Sequence, residues 1–329
     1  MNSSSERTNR ELNISCQTLG WYHTAFGGDQ HAEKAFSFIR QCGFEAVDYH
    51  FEGVYTHASI TEGKMSPLFD LPYDELINHY LPIKQALSRH GLSVSQAHCI
   101  SPSYITDNAR MNEYLCCVIV KLLQICRYLE CPALVFHPNR KMSKDENIVF
   151  LKKFAPAAVE NGVKICIENM FSRNASGNLP FYDAKTTCDI IDRLNDSVDQ
   201  EVFGACYDVG HANVTGKSIY DDICTLGKRL VCVHIHDNDG IHDQHLIPFT
   251  QKHSIERTNT TDWAGLCNGL AEINYTGPIN FEVHLALRDT PQELMGDMLR
   301  FSASVGKYFR SSIEELKHLS RNKKDCRKF

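Results

Sequence analysis

Four short runs in this chain each lead apolar or β-branched residues straight into a metal-ligand type of side chain. They are Lys164-Ile-Cys-Ile-Glu168, Ala205-Cys-Tyr-Asp208, Val231-Cys-Val-His234 and Pro278-Ile-Asn-Phe-Glu282. Runs of this length and composition read as buried strands. A carboxylate or imidazole ending such a strand is costly unless it is paired or ligated. The four ligand-type residues stand 40, 26 and 48 positions apart, which leaves room for a helix and a return between successive strands. Parallel strands that gather polar groups at their C-terminal ends describe a β/α barrel with its chemistry at the top.

The same alternation runs through the whole chain. Strands are expected at 13–19, 46–49, 93–98, 133–137, 164–168, 203–208, 230–236 and 278–282. Helices are expected at 29–41, 73–90, 107–129 with Asp107 as cap, 143–161, 184–194, 220–226, 263–273 and 291–309. Eight strand-then-helix units predict a single (β/α)8 TIM barrel spanning residues 1–329, an ordinary length for that architecture. A polar N-terminal extension (1–12) and a basic, solvated tail (317–329) flank it. The segment Glu52 to Leu71 is too long for a bare connector and is expected to cover part of the site.

Composition narrows the setting. No apolar run is long enough to cross a bilayer, and residues 1–13 lack the apolar stretch of a secretory signal. Fourteen cysteines contain no CxxC pair. Several sit inside apolar runs (Cys99, Cys116, Cys117, Cys166, Cys206, Cys232), where a free thiol acts as a small hydrophobe, so a reducing cytoplasmic location is expected. The net charge of −6 speaks against a dedicated nucleic-acid binder. The basic candidates Arg140, Lys141, Lys144, Lys252 and Arg257 are scattered.

Glu168, Asp208, His234 and Glu282 together form a donor set for one divalent cation of intermediate hardness. Mn²⁺ is expected first, with Zn²⁺, Co²⁺ or Mg²⁺ as alternatives. Asp208 is also a residue type that caps a following helix. His234 and His236 share a strand face, so at most one of them is expected to touch the metal. His98 and His137 end the third and fourth strands, and Asp243-Gln-His245 lies in the loop after the seventh. Neither a GxGxxG nor a P-loop sequence occurs, so no organic cofactor is implied.

On Ile167-Glu168-Asn169, Asp208-Val-Gly-His211, Val233-His234-Ile-His236-Asp237-Asn238, Asp243-Gln-His245 and Phe281-Glu282, the chain resembles the xylose-isomerase-like TIM-barrel superfamily. That group includes sugar phosphate isomerases and epimerases and the endonuclease IV type of AP endonuclease, and the resemblance covers residues 13–309. It implies a metal-dependent sugar isomerase or epimerase. One ion would be held by Glu168, Asp208, His234 and Glu282. The ion would polarise a carbonyl and stabilise an enediolate, while Glu168 and Glu282 exchange the proton. His211, His137, His98, His236, Asp243 and His245 would face the substrate. In the endonuclease branch His98, His137, His211, Asp243 and His245 would instead bind further zinc ions. The superfamily's glycine-rich turn after DxH is replaced here by His245-Leu-Ile-Pro248-Phe-Thr-Gln and a longer run to Trp263. That departure weakens a phosphate-cradling role for the loop. The implied partners are a small sugar and a second copy of the chain. Nucleic acid and membrane are not expected. Other readings are the catalytic subunit of a C-glycoside deglycosidase with a small partner chain, a zinc phosphodiesterase, and a non-catalytic sugar-binding subunit.

Overall fold

The segments Ile14–Gln17 (β1), Ala46–His50 (β2), Ser93–His98 (β3), Ala133–Phe136 (β4), Lys164–Glu168 (β5), Phe203–Asp208 (β6), Leu230–His234 (β7) and Ile279–Phe281 (β8) form one all-parallel sheet. A computed structural model describes them together with the rest of residues 12–174, 177–180, 182–251, 261–288 and 290–325. The strand order is β8-β1-β2-β3-β4-β5-β6-β7. The ring closes just past β7. There the Ile235 N–H donates to the Asn280 carbonyl at 2.8 Å, and the Glu282 N–H donates to the Ile235 carbonyl at 3.1 Å. This is the predicted TIM barrel. Its strands are buried on both faces because helices cover the outside and side chains fill the inside.

The inner filling has two halves. Counting two residues back from each strand-end polar group reaches the same inward face one pleat lower. On β4 to β7 this gives Val135, Cys166, Cys206 and Cys232, which pack with Ala133 as an apolar cluster separate from the main core. On β8, β2 and β3 it gives Asn280, Asp48 and Gln96, all fully buried. Asp48 Oδ2 accepts hydrogen bonds from Gln96 Nε2 and Asn280 Nδ2, both at 2.9 Å. The strand-end groups therefore stand on a floor that is apolar on one side and anionic on the other.

Several helix ends differ from expectation for local reasons. The first outer helix begins at Ala32, not Asp29. Asp29 sits in a 3₁₀ turn and instead accepts the Tyr49 hydroxyl at 2.7 Å. Asp107 does not cap the third helix. It lies at φ 60°, and Asn108 takes the cap by accepting from the Met111 N–H at 3.1 Å. The 143–161 helix is two helices, Lys144–Lys152 and Ala155–Asn161, because Pro156 cannot continue the first ladder. The segment from Glu52 carries two short helices, His57–Thr61 and Pro67–Asp70.

The last helix runs Gln292–Asp325, well past Phe309. Ile313 is fully buried, and Lys317 Nζ donates to the Tyr275 carbonyl. Beyond Lys317 the chain stays helical to Asp325, and residues 318–322 are exposed, so the basic end is a solvated helix rather than a frayed coil. Residues 1–11, Arg327 and Lys328 lie outside the described residues. Cys117, read as a core thiol, is exposed on its helix, and Cys116 is half-buried. Every described cysteine is free. No helix among the described residues is long and apolar enough to cross a membrane.

Candidate metal centre

Strand geometry brings the four expected ligands together. His234 ends β7 and is fully buried. Its Nδ1 lies 3.5 Å from Glu168 Oε2, 3.5 Å from Glu282 Oε2 and 3.9 Å from Asp208 Oδ2. One oxygen from each of three carboxylates on three different strand ends thus faces one ring nitrogen. Donors 2.0–2.2 Å from a common ion stand about 3.0–3.5 Å from one another. The cluster is therefore already close to the spacing an ion requires.

Hydrogen bonding does not account for these close approaches. Glu168 Oε2 and both nitrogens of His234 are buried without a hydrogen-bond partner. Even the 3.0 Å approach of His137 Nε2 to Glu168 Oε2 lacks hydrogen-bond geometry. Buried polar groups are almost always satisfied. Lone pairs that converge without a shared proton are what a missing cation would satisfy, and the donor set of carboxylates and imidazoles fits a divalent ion.

Around this centre the structure gathers the six other site candidates, His98, His137, His211, His236, Asp243 and His245. On the β3–β4 side, His98 Nε2 lies 3.1 Å from His137 Nε2 and 3.7 Å from Glu168 Oε2. On the β6–β7 side, Asp243 Oδ2 lies 3.3 Å from His245 Nε2 and 3.4 Å from His211 Nε2. His211 Nδ1 approaches the Asn169 carbonyl at 2.8 Å and Glu168 Oε1 at 3.3 Å. His236 Nε2 is 3.2 Å from both oxygens of Asp208. Asp208 has two sets of contacts. It faces His234, and its Oδ1 caps the short helix Val209–Val214 by accepting from the His211 N–H at 2.7 Å. The glycine in Asp208-Val-Gly-His211 has a steric cause: a Cβ at Gly210 would lie 1.9 Å from His236 Cε1.

The charges within the cluster balance one another. Burial pushes Glu168 up, but His137 and His234 outweigh it and hold the carboxyl well below its usual range. Burial likewise opposes, and His234 and His245 prevail, at Glu282. Burial pulls His98 and His245 down, yet neighbouring carboxylates bring each up to about 9: Glu168 and Glu52 for His98, Asp243 and Glu282 for His245. A bound metal would compete with protons for these groups.

The sequence profile of the xylose isomerase-like TIM barrel family matches residues 36–304. The chain belongs to that family. Among family-like solved structures, D-allulose 3-epimerase from Methylomonas sp. superposes with a TM-score of 0.64 at 15% identity, covering 91% of this chain and 98% of that one. A D-tagatose 3-epimerase-like protein gives 0.62 at 21% identity, covering 92% and 99%. The 3-keto-D-glucoside 4-epimerase YcjR from E. coli gives 0.61 at 14% identity, covering 89% and 100%. At such identities the likeness is one of fold. The uncharacterized protein y4fM of Sinorhizobium fredii is 30% identical over 145 residues, 42% of this chain and 41% of that protein. The uncharacterized protein MJ1311 of Methanocaldococcus jannaschii is 30% identical over 140 residues, 42% and 43% of the respective chains. The matched stretch thus spans about two fifths of the length of these curated relatives.

Four polar residues of the centre escaped the sequence reading. His50 ends β2, is 2% exposed and has no hydrogen-bond partner on either ring nitrogen. It stacks on His98 with ring centroids 4.4 Å apart, and its Nε2 is 3.6 Å from Glu282 Oε1. Glu52 places Oε1 3.9 Å from His98 Nδ1, so the segment after β2 does reach the site. His284 packs on His245 at 4.3 Å, and burial drives its pKa down to about 3. Asp48 lies beneath. The signal for His50 was present, since it ends its strand as His98 and His137 end theirs. Asp48 and Tyr49 interrupt the apolar lead that marked the others.

Proposed function

We propose that the chain is a divalent-metal-dependent carbohydrate isomerase or epimerase in which Glu168 and Glu282 exchange the substrate proton. The observation that carries this reading is the convergence of Glu168, Asp208 and Glu282 oxygens on His234 Nδ1. Two structures whose fold the chain shares are named as sugar epimerases and a third as a D-tagatose 3-epimerase-like protein, which supports a sugar as substrate.

A divalent ion held there supplies a Lewis acid that acidifies the C–H beside a carbonyl. The remaining work falls to the chain. Both glutamates are ionised, so each can accept a proton. Glu282 turns Oε2 to His234 and leaves Oε1 toward His50, whose ring nitrogens carry no other bond. Glu168 turns Oε2 to His234 and Oε1 to His211. Each carboxylate therefore has one oxygen for the metal and one for proton transfer. A cavity of about 530 Å³ opens beside His137 between Pro102, Tyr104, Ile105 and Met170, with Arg140 and Lys141 on its rim. The rest of the substrate extends along it.

Proton exchange tests the reading without knowledge of the final product. The Mn²⁺-loaded protein is incubated in D₂O with fructose, tagatose and psicose, and proton NMR follows the C–H next to the carbonyl. Loss of that signal is the expected result. Absence of exchange over a broad panel of ketoses and aldoses, with metal bound, would remove the isomerase reading.

A second reading rests on a different observation. His98, His137 and Glu168 form one possible ion-binding triad; Asp243 and His245 form another, with His236. His211 Nε2 also approaches Asp243. A three-zinc phosphodiesterase would use both. Lys144 is already paired with Asp189 at 2.8 Å, and Lys252 and Arg257 lie outside the described residues, so the basic rim such an enzyme needs has little support. Elemental analysis separates the two readings. One ion per chain and no incision of an abasic duplex is expected. Three zinc ions with efficient incision at moderate salt would make the nuclease the better reading.

A further inference from the structure

Asp48 belongs to no expected ligand set, yet it occupies the position from which His234 can be controlled. It is fully buried on β2, one pleat beneath the centre. Its Oδ2 faces His234 Nε2 at 3.6 Å, on the side of the ring opposite the carboxylate cluster at Nδ1. The same oxygen is fixed in place by Gln96 Nε2 from β3 and Asn280 Nδ2 from β8, each at 2.9 Å. Its Oδ1 is buried with no partner, and so is His234 Nε2. A buried carboxylate clamped by two amides and turned toward an unpartnered imidazole nitrogen is not explained by strand pairing, because Gln96 and Asn280 would satisfy a neutral side chain as well.

From this geometry we infer that Asp48 is the positioning residue of the metal centre. Resting on the metal reading above, it holds His234 in the tautomer that carries its proton on Nε2 and offers the Nδ1 lone pair to the ion. A metal-ligating imidazole usually donates its other N–H to a carboxylate or carbonyl, and loss of that partner costs roughly 10–100-fold in metal affinity. The 3.6 Å separation is slightly long for a hydrogen bond. Gln96 and Asn280 keep that oxygen aimed at the ring nitrogen that points away from the cluster. His50 Nε2 also stands 3.6 Å from Asp48 Oδ2, so the same carboxylate is within reach of the neighbouring imidazole over the substrate side. Sequence spacing could not show this, because Asp48 ends no strand.

The test is metal affinity, measured by competition with a chromophoric chelator for Mn²⁺, Co²⁺ and Zn²⁺. Asp48→Asn keeps the shape and an acceptor for Gln96 and Asn280 while removing the charge. Its affinity is expected to fall 10- to 100-fold, and Asp48→Glu should recover part of it. Ile313→Ala, in the buried face of the terminal helix and away from the strand-end cluster, serves as the structural control. It opens a cavity without touching Asp48 or its partners, and is expected to lower the melting temperature with affinity changed less than about threefold. Should Asp48→Asn not fold, nitrogen-15 NMR of the zinc-loaded wild type decides the question. A slowly exchanging proton on His234 Nε2 and a metal-shifted Nδ1 are expected. Wild-type affinity in Asp48→Asn, or a metal-bound Nε2, would overturn the assignment. A wild-type protein that binds no metal would overturn the metal reading instead, which keeps the two failures distinct.

Discussion

Glu282→Gln isolates the proton-transfer role at the residue scale. The amide matches the carboxylate in shape and still offers an oxygen, but it cannot accept a proton at neutral pH. General acid–base groups contribute about 10²–10⁴-fold, so deuterium exchange into a responsive sugar should fall by about that factor while the circular dichroism spectrum stays unchanged. Exchange within a few-fold of wild type, with metal bound, would move the base to another residue. Gly210→Ala probes the packing that orients the cluster. The new Cβ would meet His236 within 2.5 Å at three ring atoms, and that ring is wedged against Asp208. The expected result is weakened metal binding together with a loss of about 1–3 kcal/mol in stability, read by chelator competition and thermal melting. Unaltered values would mean the ring has room to move. The strand-end ligands were legible because a charge after an apolar run is costly and therefore informative. Asp48 and Glu52 were not, because their meaning depends on which strand lies across the barrel.

At the scale of elements, Gly306 gives the sharpest contest between two physical effects. It lies in the terminal helix where that helix presses on the barrel. A Cβ there would lie 2.6 Å from Ile14 Cγ2 and 2.9 Å from Phe281 Cε2, both on fully buried side chains. Alanine improves helix propensity by about 1 kcal/mol over glycine. Overpacking a closed core costs about 1–3 kcal/mol. Because Ile14 on β1 and Phe281 on β8 have no free space to retreat into, packing should win, and Gly306→Ala should lower the melting temperature. A rise would show that the helix can slide outward. Strand ends were legible to within two residues, since period and composition both mark them. Helix ends were less so. Asp107 looks like a cap in sequence but stands in a left-handed turn, and Asp29, expected to open its helix, is held by Tyr49 in the turn before it. The terminal helix was underestimated because charged residues past Phe309 mask the buried Ile313 on its inner face.

For the whole molecule, the barrel was legible because eight repetitions of one pattern leave few other solutions, and its closure needs only the short pairing of Ile235 with Phe281. What the sequence could not convey is how the groups of the centre act on one another. Carboxylates raise His98, His234 and His245 while imidazoles lower Glu168 and Glu282, and such mutual support favours a fold that survives metal loss. Removing metal should therefore lower stability without destroying the fold. An ion that binds only the native state adds about 2.7 kcal/mol at a hundred times its dissociation constant. For a chain of this size that corresponds to a melting shift of roughly several degrees. Dialysis against a chelator should produce that downward shift, and readdition of Mn²⁺ should reverse it in proportion to the logarithm of free metal. An unchanged melting temperature would mean that no ion binds the native state. Complete unfolding at room temperature would mean that the ion, and not the imidazole–carboxylate balance, holds the mouth of the barrel together. The Asp48→Asn protein sharpens the comparison. It should gain less on readdition of Mn²⁺, each protein being measured from its own stripped melting temperature, because its metal-loaded state lacks the carboxylate behind His234.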